Sequence, residues 1–186
     1  MDEVHVIRAT REWIENAVIG LNLCPFARSP YLNEQIRFVV SHAMHADAFL
    51  EQLDEELTYL AEVPAATVET TLLIHPTLFP DFETFDDITA IAEEAVVEHG
   101  LEGVIQVASF HPRFQFADTE ADDISNYTNR SPFPTLHLLR EASISAALDA
   151  YPTPEEIYQR NIETMKMLGH TGWDKLHCIR EDDTQA

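Results

Sequence analysis

Three histidines follow directly on short apolar runs of the chain: His42 after residues 36–41 (IRFVVS), His75 after 69–74 (ETTLLI) and His111 after 104–110 (VIQVASF). Imidazole titrates near neutrality, so His111 and His75 are candidate general acids or bases of a hydrolase- or transferase-like enzyme. Three imidazoles with an open position could instead hold a divalent metal such as zinc, which makes His42, His75 and His111 the candidate ligand set. Neither HExxH nor a paired CxxC accompanies them, so no motif specifies an ion. Pro76 and Pro112 follow two of these histidines and end strand pairing there. His-Pro is also ordinary turn material, and that reading stands beside the catalytic one.

A second group lies between residues 113 and 141. Arg113, Asn126, Asn129, Arg130, His137 and Arg140 are polar or basic groups around one loop of a chain that is otherwise poor in cations. A guanidinium fork suits a carboxylate or phosphate, and free N–H groups at a helix N-terminus favour anions. With a helix expected over 135–150, His137 and Arg140 would share a face one turn inside it. The alternative is that these arginines neutralise Asp118, Glu120, Asp122, Asp123 and Glu141. Those loop acids lack the DxDxDG spacing of a calcium site, so a solvated loop is the simpler reading. Cys24, in LNLCPFA, is a candidate nucleophile if it caps a new helical turn at Pro25, and an inert packing residue if the preceding helix ends there.

These groups need elements to position them. The runs 36–41, 69–74 and 104–110 are short, rich in β-branched or aromatic residues and apolar on both parities, as strands covered on two faces should be. Residues 47–62 place Phe49, Leu53, Leu57 and Leu60 on one helical stripe. Residues 86–99 place Ile88, Ile91, Ala92, Ala95 and Val96 likewise, with Gly100 as a C-terminal stop. An earlier helix is expected after Thr10, carrying Trp13, Ile14, Ala17, Val18 and Leu21. A polar loop over 112–134 then leads to helices over 135–150 and 154–168, the last capped by Thr153.

Strand–helix–strand units in one sheet run parallel with right-handed crossovers. The expectation is therefore one globular α/β domain over 1–186: a small, mainly parallel sheet of three to four strands flanked by about five helices. Residues 114–116 would supply an extra edge strand, and the tail would fray from about residue 180. Ligands of parallel sheets bind outside the carboxyl ends of the strands, where the three histidines would gather.

Composition narrows the partners. The 186 residues carry 33 acids against 11 Lys and Arg, a net charge of −22. No Lys or Arg occurs between Arg37 and Arg113, where 15 acids fall, while the other 18 acids share the chain with all 11 basic residues. Such a field repels phosphate backbones, which excludes nucleic acid and anionic membrane as partners. The N-terminus has no basic stretch with an apolar core behind it, no apolar run reaches the ~20 residues that span a bilayer, and two cysteines do not make a secreted disulfide scaffold. A cytoplasmic protein is expected.

Three stretches, LNLCPFA (21–27), SFHPRFQFA (109–117) and NRSPFPTLHLLRE (129–141), resemble the signature segments of the domain-of-unknown-function family 1415, and the likeness covers nearly the whole chain. The resemblance implies a bacterial, cytoplasmic protein and carries no activity over to any residue. Three functional readings follow from the residues themselves. The first is an enzyme acting on a small anionic metabolite at the strand ends; the second is a metal-dependent hydrolase. The third is a non-catalytic interaction protein that offers its acidic helices to a basic partner and has no enclosed pocket beside His111.

Overall fold

The computed structural model describes residues 1–148 and 154–176, so the expected fraying from residue 180 and the Thr153 cap lie outside the described residues. Helix α1 (Glu3–Trp13) begins earlier than the sequence suggests, because the Asp2 carboxylate accepts the Val4 N–H and caps it. Thr10 is inside this helix, buried, with its hydroxyl donating to the Val6 carbonyl at 2.8 Å. A π-helical segment (Ile14–Ile19) continues α1, and a short α2 (Arg28–Leu32) follows.

The alternation then runs β1 (Ile36–Val40), α3 (Ala46–Glu62), β2 (Thr70–Ile74), α4 (Phe82–Glu98) and β3 (Ile105–Phe110). His45 Nδ1 accepts the Ala48 N–H to cap α3, and Asp81 accepts the Thr84 N–H at 2.8 Å to cap α4. The predicted stop at Gly100 holds: its φ of 68° is the left-handed conformation that glycine adopts freely. A 3-10 segment (Ile124–Asn129) interrupts the polar loop, and residues 114–116 do not form a strand.

The main correction comes next. Thr135–Arg140 is a strand, β4, rather than the start of a helix, and α5 (Glu141–Leu148) begins only after it. Pro132 and Pro134 bias the residues before them toward extended backbone, and alternation then fits a sheet: Leu136 and Leu138 face one way, Thr135, His137 and Leu139 the other. The final helix, α6 (Pro154–Asp174), is interrupted at Gly169.

The sheet order is β1-β2-β4-β3. β1 and β2 pair in parallel, whereas β4 lies antiparallel between β2 and β3. The sheet is therefore mixed and mostly antiparallel in its pairings, not mainly parallel. Because β4 reverses direction twice over, β1, β2 and β3 still point the same way, and their carboxyl ends share one rim. Val40, Ile74, Thr135 and Phe110 form adjacent registers along it.

Both faces of the sheet are covered. On one, α3 and α4 bury Phe49, Leu53, Leu57, Leu60, Phe85 and Ile88 against Leu73, Ile105, Leu136 and Leu138. On the other, α1, the π-helical segment and α6 bury Val6, Trp13, Ala17, Met165 and Trp173 against Val40, Leu72 and Ile74, with Leu23 and Phe133 in the same cluster. No described helix is long and apolar enough to cross a membrane.

Candidate functional site

The rim is stitched by backbone hydrogen bonds before any side chain is considered. Ser41 N–H donates to the Ile74 carbonyl at 2.8 Å, His75 N–H to Pro134 at 2.9 Å and His111 N–H to Asn129 at 3.2 Å. The topology thus brings the three strand ends together and adds Asn129–Thr135 between them.

Two of the three imidazoles turn inward. A strand alternates its side chains, so His75 continues the parity of Leu73, and His111 that of Ile105 and Val107. Both rings point toward α3 and α4, where they are 2% and 1% exposed. His75 lies edge-on to Phe49 and Phe79, and His111 stacks on Phe85 with Phe82 beside it.

Each ring has both nitrogens occupied in the same manner. His75 Nδ1 accepts the Leu78 N–H at 2.9 Å while Nε2 faces the Ala43 carbonyl at 2.9 Å. His111 Nδ1 accepts the Arg113 N–H at 3.0 Å while Nε2 faces the Phe79 carbonyl at 3.0 Å. A backbone N–H aimed at Nδ1 fixes that nitrogen as unprotonated, so the proton sits on Nε2 and each ring is neutral. Burial pushes both pKa values below 6.5, against the raising effect of the carbonyl partners. The rings therefore act as staples: His111 ties the β3 loop to the β2 loop, and His75 ties the β2 loop to the β1 loop.

The other candidate residues are dispersed. His42 is exposed at the rim, 3.7 Å from Glu3. Cys24 follows Leu23, whose cluster lies on the opposite face of the sheet from the two buried rings. Burial raises the Cys24 thiol pKa, although the N–H groups of Phe26 and Ala27 pull it down. No cluster of three metal-ligating His, Cys, Asp or Glu side chains exists among the described residues. With Nε2 and Nδ1 of His75 and His111 engaged, the proposed three-histidine set does not assemble.

Nor does the basic group converge. His137 and Arg140 would share a helix face, but on a strand three residues apart they point to opposite faces. Arg140 stands at the far end of β4 from the rim, where it donates to the carbonyls of Val63 at 2.6 Å and Val68 at 3.1 Å. His137 Nε2 meets Thr70 Oγ1 at 2.7 Å, and the Thr70 hydroxyl in turn donates to the Leu138 carbonyl at 2.6 Å. With its own hydrogen so committed, Thr70 accepts from Nε2–H, and burial lowers the His137 pKa to about 4. The helix N-terminus expected at Thr135 is absent.

Arg130 stays at the rim but is used internally. Its guanidinium donates to the carbonyls of Phe114 and Ala121 and lies 4.0 Å from the Tyr127 ring centroid. Asn126 is fully buried, taking the Phe116 N–H and the Thr119 hydroxyl on Oδ1 while Nδ2 donates to the Glu120 carbonyl. Asn129 Oδ1 accepts the Thr128 hydroxyl. Arg113 is exposed beside His111.

Two of the concavities on the described surface lie away from the rim, and neither is lined by its histidines or arginines. One, of about 510 Å³, runs along the outer side of α1 toward Tyr31. The other, of about 140 Å³, lies between α3 and α4, floored by Leu50, Leu53, Ile91 and Ala95 and bordered by Asp54, Glu94 and Glu98. His99 Nε2 meets Asp54 Oδ1 at 2.9 Å at its edge.

Sequence reasoning missed an ion pair whose carboxylate is buried and whose guanidinium is partly exposed. Arg37 on β1 and Glu56 on α3 meet in bidentate fashion at 2.7 and 2.9 Å, with Arg37 also over the Tyr59 ring. A signal existed, because Glu56 stands three residues after Leu53 and four before Leu60, on the apolar stripe itself.

The features together define a mixed α/β protein in which the His75 and His111 rings each join two rim loops by hydrogen bonds. Comparison places it further: residues 5–175 match the family described as "Protein of unknown function (DUF1415)", and the chain belongs to that family. Neither the curated proteins nor the solved structures contain a match to it.

Proposed function

We propose that this chain is a binding protein whose α3–α4 face docks a basic, amphipathic partner. The observation that carries the reading is the groove between those helices, apolar on its floor and acidic along both edges. Ile91 and Val97 stand exposed on the same helix, and no Lys or Arg occurs from residue 38 to 112 to neutralise the face. A cationic helix with an apolar stripe complements such a surface in shape and charge, and long-range attraction would speed its capture.

A lysine–leucine amphipathic peptide tests this by fluorescence anisotropy. Replacing Asp54→Asn, Glu94→Gln and Glu98→Gln together should weaken binding about tenfold at low salt. The same charge change in the loop, Asp118→Asn, Glu120→Gln and Asp122→Asn, should leave it within about twofold. Equal losses from both sets would mean bulk attraction to an acidic chain and would end the proposal.

A second reading retains the enzyme acting on a small anionic metabolite. What supports it is that, beside the burial that lowers the His111 pKa most, Arg113 and Arg130 both act on the ring from the rim, with Asp81 opposing them. Arg113 is the exposed member. Inorganic phosphate or short dicarboxylates should then raise the melting temperature of the native chain and leave Arg113→Ala unchanged; identical shifts in both would remove this reading.

A further inference from the structure

The sheet order leaves β1 and β3 as its two edge strands. An edge in water presents a row of unpaired N–H and C=O groups, and proteins commonly blunt it with charge, proline or a bulge. β1 carries Arg37. β3 (IQVASF) has no charged residue and no proline, and its register with β4 is unbroken.

Parity decides which backbone groups of β3 are spare. Glu141 N–H donates to the Val104 carbonyl at 2.9 Å, on the same register as the strand pairing. Every second residue after Val104, namely Gln106, Ala108 and Phe110, therefore exchanges hydrogen bonds with β4. Ile105, Val107 and Ser109 turn their N–H and C=O groups to the outer edge instead. One end of that edge is closed by the Leu101 carbonyl, which takes the Ile105 N–H at 3.0 Å, and the other by the Asn129 carbonyl, which takes the His111 N–H at 3.2 Å. Between these ends, the N–H groups of Val107 and Ser109 and the carbonyls of Ile105, Val107 and Ser109 meet no hydrogen-bond partner among the described residues.

We propose that this edge pairs with β3 of a second copy of the chain, antiparallel about a two-fold axis through Val107, so that two four-stranded sheets become one continuous sheet. An interface of that symmetry must be complementary to itself. The axis sets Val107 opposite Val107 of the second copy, and each N–H meets the other's carbonyl. It sets Ser109 opposite Ile105 of the second copy, where the Ser109 N–H meets the Ile105 carbonyl, and symmetry repeats that bond. The Ile105 N–H, already given to Leu101, is not called upon. Side chains follow the same register. Val104, 47% exposed, comes opposite Phe110 of the second copy in the closer, non-hydrogen-bonded kind of pair. Glu102 and Arg113, both exposed, lie just beyond opposite ends of β3, so reversed strands bring each toward its opposite charge. A parallel copy in register would set like charge beside like at both ends.

Hydrogen exchange tests the pairing at the atoms concerned. The native chain at tens of micromolar should sediment at twice its 21.1 kDa mass. The Val107 and Ser109 amides should then exchange about tenfold slower than in a sample diluted to monomer, whereas Gln106 and Ala108, bonded to β4 in either state, should be protected in both. Val107→Pro removes an N–H that β4 does not use, so this variant should fold and sediment at 21.1 kDa. A native chain that stays monomeric overturns the proposal. So does a dimer whose Val107 and Ser109 amides exchange as fast as in the dilute sample, or a folded Val107→Pro that still dimerises. If circular dichroism shows that variant to be unfolded, the exchange of the two amides in the native chain decides alone.

Discussion

Three neutral imidazoles, two buried and one partly buried, make the fold acid-labile in a defined window. His75, His111 and His137 each have a folded pKa below 6.5, lowered chiefly by burial, and that of His137 lies at about 4. The unfolded chain titrates these groups near 6.5, so below that pH it binds protons that the folded chain refuses. Stability is whole above the unfolded value and is lost as pH falls toward the folded one. For His137 alone, a drop to pH 5 removes about 2 kcal/mol, since each unit of separation is worth about 1.4 kcal/mol. His137→Gln tests the share of this residue, because the amide can still donate to Thr70 Oγ1 yet cannot titrate. Urea denaturation at about pH 7.5 and pH 5 gives two stabilities for each protein. The native chain should lose more between them than the variant, by about 2 kcal/mol. Equal losses would refute the reasoning that His137 is held neutral by burial, whatever the variant does to absolute stability.

Two further outcomes follow from the geometry. Arg37→Leu strands the buried Glu56 carboxylate and should cost about 2–3 kcal/mol in denaturant titration, discounted because Arg37 is partly exposed; adding Glu56→Leu should recover part of that loss, and a double variant no better than the single would contradict it. The Cys24 thiol, raised by burial, should react with iodoacetamide at neutral pH more slowly than a free cysteine peptide, as followed by mass spectrometry of the tryptic fragment; a faster reaction would restore the nucleophile reading.

The sequence carried the strands and the helix stripes because burial writes them at fixed periods. β1, β2 and β3 fall within a residue of the expected runs, and the apolar stripes of α3 and α4 are where Phe49, Leu53, Leu57, Ile88, Ala92 and Val96 place them. β4 was misread because Leu138-Leu139 breaks the visible alternation, and a leucine pair before Arg-Glu suits a helix as well as a sheet. The start of α1 was misread because Asp2 caps better than Thr10, whose hydroxyl is drawn to a carbonyl of its own helix. The clustering of His42, His75 and His111 at one rim was legible, since three strands pointing one way bring their ends together even with β4 reversed between two of them. What those rings do there was not legible from their type.

Parity supplies what residue type does not. A histidine that follows a buried strand on the core-facing parity must give both nitrogens to partners or carry an unpaired polar atom into apolar packing, at a cost of about 1–3 kcal/mol. His75 and His111 resolve this by taking a local N–H on Nδ1 and a carbonyl from the neighbouring loop on Nε2. The proline after each ring fixes the turn that delivers the N–H, so His-Pro works here as a unit that locks one loop to the next. A ring so engaged must give up a hydrogen bond before it can accept or donate a proton to a ligand. The surface between α3 and α4 is built otherwise, with Asp54, Glu94 and Glu98 bordering an apolar floor.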